Sequence, residues 1–390
     1  MAINVVKDDL REVVKSLGPQ GFLDMVNESL DSGKAKPEDF SIKELWIACT
    51  GDAPLDSRDP GLDFRYMEAQ ALDEAIGGMG TSLFVKATGA LINKKVREAY
   101  DAVYGVGDRL VTVVPSRLKR ETIVGFTRMG AVEEVRELEE YKSRGMQELY
   151  FTVENHKYGG LIGISEETVR MDQTGQILLQ AARIGEECRQ HKEKLILEGV
   201  IGPAVDSSTN SVFKPEGTAA ILYKSTARTS LAEGGKGGPN GLTGYGDINH
   251  AALDAVKALV AKQYDGETDQ YVNLGGMQGW ILLCPAELHD TAWEITNTQK
   301  TPFSADNAEN YWRQFQFVPE WSPYFGSTTT TWLIGDFRKD FIWTEVFPLE
   351  VKRLARGTEV EFTRDMIACY KARFMGGIGC IDYHHVYKVE

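Results

Sequence analysis

The residues that come nearest to a metal-binding pattern lie at 380–385. His384 and His385 are adjacent, and Cys380 and Asp382 stand just before them. Imidazole, carboxylate and thiolate groups are the usual ligands of zinc in proteins. On a strand, however, adjacent side chains point to opposite faces, so both histidines cannot bind one ion. We therefore interpret these residues as ordinary members of a sheet and predict no metal site.

The remaining reactive side chains lack the surroundings that catalysis requires. The adjacent carboxylates at 139–140 and 166–167 have no flanking pattern that would keep one of them protonated, so we interpret them as solvated or ion-paired. His191 falls on the apolar side of a predicted helix and is interpreted as a core or interface histidine. Cys188 on the same side is interpreted as a small packing residue. No H-E-x-x-H, G-x-S-x-G, Walker or Rossmann pattern occurs, so we predict no catalytic residue, no cofactor and no enzymatic activity.

The glycine-rich run at 234–241 differs from a phosphate-binding loop. A P-loop requires the spacing G-x-x-x-x-G-K-[ST] after a strand, and this run has neither that spacing nor a clear preceding strand. Its glycines, together with Pro239 and Asn240, predict a flexible loop.

The most regular pattern in the sequence runs from 150 to 199. Extended residues, broken at 159–160, lead to a helix that we predict over 174–199, with Gly199 closing it. Apolar or small residues recur along this helix at helical spacing, at Ile177, Ala181, Ile184, Cys188 and Leu195. The opposite face is charged and includes Lys192 and Glu193. A helix of about seven turns, fed directly by an extended hairpin, is typical of a structural spine.

The sequence before this spine helix predicts an N-terminal helical segment and a long hairpin. Helices are predicted at 10–17, at 21–30, from Ser41 through a capping box, and at 82–104. Strands are predicted at 110–114, 122–126 and 149–153. Eight of the twelve residues at 133–144 are charged, so the hairpin tip is either a solvated face or a set of ion pairs to a neighbouring subunit.

The sequence after the spine helix predicts a second, mixed domain and a β-rich tail. Asn249 is expected to cap a helix, and a strand at 279–284 ends at Pro285 before a helix at 286–295. Trp280, Trp332 and Trp343 are expected in the core. Tail strands are predicted at 332–334, at 341–347 up to Pro348, at 360–374 up to a break at 376–377, and at 386–389.

The composition describes a folded, acidic chain. Of 390 residues, 42% are apolar and 26% charged, which is typical of a globular protein. We expect no membrane span and no signal peptide, and five scattered cysteines favour a reduced intracellular setting. The net charge of −14 argues against tight binding of nucleic acid, which needs basic surface to release counterions. Any association with DNA should be containment or brief local contact.

Three segments in fixed order resemble one protein family. They are residues 158–167, which lead into the spine helix, residues 279–288, and residues 332–377. Together they look like the major capsid proteins of tailed bacteriophages, which have the Hong Kong 97-type fold, and particularly like the Mu-like head subunits. The resemblance covers the chain from about residue 80 onward.

The resemblance implies an α+β fold with an N-terminal arm, an extended β-hairpin loop, a peripheral domain with a long spine helix and long β-sheet, and an axial domain with a mixed sheet and helices. It assigns residues 81–117 to the arm helix and strand, 118–163 to the extended loop over a neighbouring subunit, 164–205 with 341–390 to the peripheral domain, and 206–340 to the axial domain. Residues 1–80 match less well and are an arm, a scaffold-like segment or a separate decoration. Some relatives crosslink subunits through a lysine of the extended loop. Lys157 lies near the base of the hairpin, but no acceptor can be identified, so we do not extend the crosslinking activity to this chain.

The resemblance also implies partners and location. The chain would be a late structural protein of the virion, assembled in the bacterial host cytoplasm as pentamers and hexamers of an icosahedral shell around double-stranded DNA. A portal, a scaffold and a protease or decoration protein of the same phage would accompany it. Two alternatives stay open: an encapsulin-like compartment that encloses a cargo enzyme, and a hydrolase with no recognisable motif that works from the region of His384.

Overall fold

In the described residues, four helices precede four strands, and helices and strands are mixed after the long helix that follows. The computed structural model describes residues 10–50, 79–126, 134–135, 137, 148–165, 176–265, 270–272, 274, 276–300, 309–325, 330–353 and 366–390. The helices are α1 (Leu10–Asp31), α2 (Ile42–Thr50), α3 (Met79–Ala102), α4 (Gly107–Leu110), α5 (Gln176–Ile201), α6 (His250–Ala261), α7 (Ala286–Asn297) and α8 (Phe337–Asp340). The strands are β1 (Thr112–Pro115), β2 (Arg120–Phe126), β3 (Glu148–Glu154), β4 (His156–Ser165), β5 (Gly241–Leu242), β6 (Tyr264–Asp265), β7 (Gln270–Tyr271), β8 (Ile281–Cys284), β9 (Val318–Trp321), β10 (Trp332–Gly335), β11 (Phe341–Arg353), β12 (Met366–Cys380) and β13 (Val386–Val389).

The longer strands form two sheets. One has four strands in the order β1–β11–β12–β4, and the other has five in the order β5–β13–β10–β8–β9. Strand β1 runs parallel to β11, with Thr112 opposite Ile342. Strand β10 is antiparallel to both β8 and β13, whereas β9 is parallel to β8 and β5 is parallel to β13. Two short antiparallel pairs, β2–β3 and β6–β7, complete the pairing in the described residues. The predicted α+β class is confirmed.

The chain divides into two compact units. The first comprises residues 1–104, 158–190 and 348–374, and the second comprises residues 105–157, 191–347 and 375–390. No helix in the described part of the chain is both long enough and apolar enough to pass through a lipid bilayer.

In the first unit, α1, α2 and α3 pack around an apolar core. Gly18 has a left-handed backbone (φ 71°) and precedes Pro19, so α1 is two shorter helices joined by a kink, as predicted for 10–17 and 21–30. The ring of Trp46 in α2 meets that of Phe84 in α3 edge to face, with ring centroids 4.8 Å apart. The described residues before the predicted arm helix, 10–50, therefore contribute to a folded core.

Helix α3 also lies against the first half of α5, and Gly185 makes this close approach possible. A Cβ atom built on Gly185 would overlap the carbonyl oxygen of Val96 and would lie 3.2 Å from Cβ of Ala99. The two helix backbones meet with no side chain between them, so a larger residue at Gly185 must separate them.

In the second unit, α6 and α7 cover the five-stranded sheet. The side chain of Asn249 accepts a hydrogen bond from the backbone N–H of Ala252 (2.8 Å), which confirms the predicted cap of α6. The predicted succession of strand, Pro285 and helix is confirmed by β8 and α7. All three predicted core tryptophans are buried, namely Trp280, Trp332 and Trp343.

Several predicted boundaries are wrong. Strand β11 continues through Pro348 to Arg353, because it is held along its length by pairing with β12, a contact that the local sequence does not reveal. Strand β12 runs through the predicted break at 376–377, and Gly376 instead serves packing: its Cβ would lie 2.6 Å from the carbonyl oxygen of Thr344. Strand β4 is likewise unbroken at 159–160.

The spine helix is confirmed, but its predicted end is wrong by two residues. Helix α5 continues to Ile201, and Gly199 lies inside it, facing the side chain of Ile378. The left-handed residue that ends the helix is Gly202 (φ 60°), whose N–H donates to the carbonyl oxygen of Glu198 (3.0 Å).

The predicted strand at 386–389 is confirmed as β13. The resemblance assigns it to the peripheral domain, yet it pairs with β10 and β5 in the five-stranded sheet.

Candidate functional site

Two features of the second unit are candidates for function: the β2–β3 hairpin and a buried polar cluster. The strands predicted for the hairpin are confirmed, and Arg120 stands opposite Glu154 at its base. Residues on one face are buried or half-buried, whereas the other face carries an ion pair between Arg120 and Glu154. Further out on this second face, Val124 stands opposite Tyr150.

The inner face of the hairpin is anchored to its own chain. The N–H of Thr152 donates to the carbonyl oxygen of Lys214 (3.2 Å), and the ring of Phe151 stacks on that of Phe213 with centroids 6.2 Å apart. The outer face remains uncovered: Val124 is 46% exposed and Tyr150 is 41% exposed. An apolar cross-strand pair in this position is available to another molecule.

The charged tip predicted at 133–144 lies outside the described residues except for positions 134, 135 and 137. The carboxylate pairs at 139–140 and 166–167 also lie outside them. Lys157 is exposed on β4.

Two charged residues of the spine helix are buried, so the prediction that they face solvent is wrong. Glu193 accepts a hydrogen bond from the N–H of Gly107 at the start of α4 (2.7 Å). The ammonium group of Lys192 lies 3.1 Å from the carboxylate of Asp108 and 5.5 Å from the ring centre of Trp343. These charges are buried because they satisfy the polar groups of the α4 turn. The partner of Glu193 is 86 positions away, so helical periodicity carries no signal of it.

The core interpretation of the neighbouring His191 is wrong and its interface interpretation stays a prediction, whereas the packing interpretation of Cys188 is confirmed. His191 is exposed because the buried stripe of α5 passes through the next two residues. Cys188 is buried, and burial raises the pKa of its thiol. All five cysteines are free and buried, and burial raises the pKa of Cys49 and Cys284 to about 12, which keeps these thiols protonated and unreactive.

The buried polar cluster contains the two histidines that the sequence placed on a strand, and that placement is wrong. His384 and His385 lie in a bend before β13 begins, so both rings can turn to the same side. Nδ1 of His384 lies 2.5 Å from Oδ1 of Asp382, and Nδ1 of His385 lies 3.6 Å from Oδ2 of the same carboxylate. Nδ1 of His385 also lies 2.7 Å from Oδ1 of Asp340, the last residue of α8.

The electrostatics of this cluster follow from burial and from these contacts. Burial raises the pKa of Asp340 to about 6, against the opposing hydrogen bond from His385. Burial alone would raise the pKa of Asp382, but the charge and hydrogen bond of His384 hold it well below its ordinary value. Burial alone would lower the pKa of His385, but its hydrogen bond to Asp340 raises it.

Asp340 is the member of the cluster that the sequence analysis missed. Its carboxylate is fully buried and receives the backbone N–H of His385 at Oδ2 (2.9 Å). The two residues are 45 positions apart, so no local spacing connects them. Cys380, named with the histidines, instead donates its thiol to the carbonyl oxygen of Asp382 (2.8 Å).

Arg228 holds the glycine-rich loop beside this cluster. Its guanidinium carbon lies 3.9 Å from the ring centre of Tyr383, and its N–H groups donate to carbonyl oxygens of Ile221, Leu222 and Glu233 and to Oδ1 of Asn240. The prediction of a loop at 234–241 is confirmed, but the loop is closely packed. A Cβ at Gly238 would lie 2.7 Å from Oε1 of Gln263, so glycine is needed there for contact.

Comparison with known proteins gives one family match. A sequence profile described as phage capsid protein matches residues 151–389. The match covers more than half of the chain and includes β3, the spine helix and the strands from β4 onward. No curated protein matches the sequence.

Solved structures with partial similarity are particle proteins. The capsid of a native GTA particle covers 74% of this chain and 91% of its own, with 13% identity and a TM-score of 0.45. The capsid of the cyanophage P-SCSP1u covers 73% and 88%, with 10% identity and a TM-score of 0.47. A virus-like particle from Pyrococcus furiosus covers 77% and 97%, with 8% identity and a TM-score of 0.41. With TM-scores below 0.5, these similarities establish no shared function.

Proposed function

This chain belongs to the phage capsid protein family and is a structural, shell-forming protein, and on that premise we propose that it is the major subunit of an icosahedral phage head that encloses double-stranded DNA. The profile match over residues 151–389 is the observation that carries this proposal. The location that follows is the virion, with assembly in the bacterial host cytoplasm.

The proposed architecture is of the Hong Kong 97 type, most similar to Mu-like head subunits. In it, residues 118–163 form the extended loop, residues 164–205 with 341–390 form the peripheral domain, and residues 206–340 form the axial domain, whose sheet also receives strand β13 from the peripheral segment. The proposed loop contains the β2–β3 hairpin, whose outer face leaves Val124 and Tyr150 uncovered. A two-stranded hairpin is marginally stable alone, so contact with a neighbouring copy would stabilise this one.

The proposed partners are first of all further copies of the chain, in pentamers and hexamers. Such rings require heterologous contacts, in which two different surfaces of the same subunit meet. A portal, a scaffold and a protease or decoration protein of the same phage complete the head. The net charge of −14 suits a container, because it leaves the enclosed DNA free of tight binding to the shell.

The experiment is electron microscopy and light scattering of the purified full chain, alone and with the other head proteins of its phage. We expect closed shells, and particles from infected cells should contain double-stranded DNA. A cargo protein in place of DNA would favour a compartment instead. Molecules that remain at 43.3 kDa under every condition would refute the proposal.

The role of the hairpin face is tested by the double variant Val124→Thr with Tyr150→Thr. Because both side chains are largely exposed, we expect unchanged thermal unfolding of the subunit but fewer shells. The control is Val124→Ile with Tyr150→Phe, which keeps the face apolar and should assemble normally. Normal assembly of the threonine variant would exclude this face from subunit contacts.

A further inference from the structure

Three potential ligand atoms of the buried polar cluster converge. Each of Asp340, Asp382 and His385 offers one such atom, and these atoms all lie within 4.8 Å of one another. They come from the end of α8 and from the bend before β13, so the convergence joins two parts of the second unit. Two carboxylate oxygens and one imidazole nitrogen are a common donor set for divalent transition-metal ions.

We propose that Asp340, Asp382 and His385 bind one divalent transition-metal ion, with zinc as the best fit to the donor set. Zinc accepts carboxylate oxygen and imidazole nitrogen together in four-coordinate sites, and water supplies the fourth ligand where the protein offers three. This site is independent of whether the chain forms shells.

The hydrogen bonds around His385 supply too few donors for the two carboxylates that it faces. A bound cation would supply the missing positive partner. Nδ1 of His385 carries at most one proton, yet it faces Asp340 at 2.7 Å and Asp382 at 3.6 Å. One N–H cannot bond to both carboxylates: the fully buried Asp340 is the nearer acceptor, and Oδ2 of Asp382 keeps only the 3.6 Å approach among the described contacts. A divalent ion between them neutralises both charges at once.

The distances require a small change on binding. Tetrahedral ligands about 2.1 Å from zinc lie about 3.4 Å from one another. The separation between His385 and Asp382 already has this size, whereas the 2.7 Å separation between His385 and Asp340 must open by about 0.7 Å. The bond from Nδ1 to its proton breaks, the proton passes to water, and a bond from Nδ1 to the ion forms.

Neighbouring groups hold the ligands in place. The backbone N–H of His385 donates to Oδ2 of Asp340 (2.9 Å), which leaves Oδ1 for an ion. Asp382 is fixed in the same way, because Oδ1 accepts from the N–H of Tyr383 (2.7 Å) and faces Nδ1 of His384, which leaves Oδ2. Supporting contacts of this kind orient metal ligands and raise affinity.

The site is reachable, and the lysine and arginine side chains that the structure describes make no ion pair with its two carboxylates. The side chains of Asp382 and His385 are 34% and 19% exposed, which gives an ion a route from solvent. The guanidinium of Arg228 is near, but its described hydrogen bonds go to three carbonyl oxygens and to Asn240. It therefore stabilises the loop at 234–241 and leaves the carboxylates to another cation.

The test uses the full chain, stripped of metal with a chelator and dialysed. Equilibrium dialysis with elemental analysis should find one zinc ion per chain. Zinc at about a hundredfold above its Kd should raise the melting temperature by about 5 °C, and magnesium should not. Cobalt should give the visible absorption of a four-coordinate site. A chain that binds no zinc stoichiometrically, or whose melting temperature zinc does not raise, would overturn the proposal.

Variants distinguish this site from surface binding. His385→Gln and Asp382→Asn should each weaken zinc binding at least tenfold. Because Asp382 is half-buried, its variant should fold even if Asp340→Asn does not. His289→Gln, which removes a histidine beside Asp290 on α7, is the matched control and should bind zinc normally. Equal affinity in the site variants and the control would show an adventitious surface ion and refute the assignment.

Discussion

Replacing Gly185 with alanine should push α3 and α5 apart in the first unit. The new Cβ would overlap the carbonyl oxygen of Val96 and lie 3.2 Å from Cβ of Ala99. Because the carbonyl belongs to helix backbone, no side-chain rotation relieves the overlap. The two helices must separate by about 1 Å to regain ordinary contact distances.

Two terms of opposite sign determine the size of the effect. Alanine favours the helical state over glycine by about 1 kcal/mol. Overpacking of a close contact costs about 1–3 kcal/mol, and because the overlap is with a backbone carbonyl, the cost here falls in the upper part of that range, about 2–3 kcal/mol. We therefore expect Gly185→Ala to lower the free energy of unfolding by about 1–2 kcal/mol.

The matched control is Gly199→Ala in the same helix. There the new Cβ would meet Cγ2 and Cδ1 of Ile378 at 2.9 and 3.0 Å, and a side chain can move aside where a backbone cannot. The gain in helix propensity should offset this cost to within about 0.5 kcal/mol. Urea unfolding of dissociated subunits, followed by circular dichroism, measures both differences. The reasoning fails if Gly185→Ala is as stable as the parent chain, or if both variants lose the same stability.

Three further substitutions test buried polar contacts, each by urea unfolding against the parent chain. Glu193→Leu leaves the N–H of Gly107 without its acceptor and should lower the free energy of unfolding by about 1–3 kcal/mol. An unchanged free energy of unfolding would mean that water replaces the carboxylate. Thr344→Val removes the hydroxyl that lies 2.6 Å from Oδ1 of Asn155 and should lower the free energy of unfolding by a similar amount. An unchanged urea midpoint would contradict this hydrogen bond. Arg228→Met removes hydrogen bonds to four acceptors, two buried and two part-buried, and should cost more than about 3 kcal/mol, with faster hydrogen exchange in the surrounding loop. Slow exchange there would show that Arg228 does not hold the loop in place.

Sequence reasoning succeeded where a local signal decides the structure. Asn249 caps α6 through the N–H of a residue three positions on, and Pro285 separates β8 from α7 because it cannot extend either hydrogen-bonding pattern. The spine helix is fixed by its own apolar repeat. Each of these features depends on neighbours within a few positions.

The predictions from sequence failed where a residue far along the chain determines the local structure. Lys192 and Glu193 are buried by the α4 turn, which no property of the spine helix reveals. Pro348 was expected to end a strand, but β11 continues through it beside its partner β12. The bend that contains His384 and His385 is tied to α8, because the backbone N–H of His385 donates to Asp340, 45 positions away. In each case the missing information is a contact across tens to hundreds of positions.

The position of β13 within its sheet has a consequence for synthesis on the ribosome. This strand lies between β5 and β10, although about 140 residues separate it from β5. While residues 386–389 are still in the exit tunnel, β5 has no neighbour and the edge of β10 is open. Until β13 has emerged, a nascent chain therefore carries an unfinished sheet. A product that lacks β13 would expose the edge of β10 to premature association with other chains.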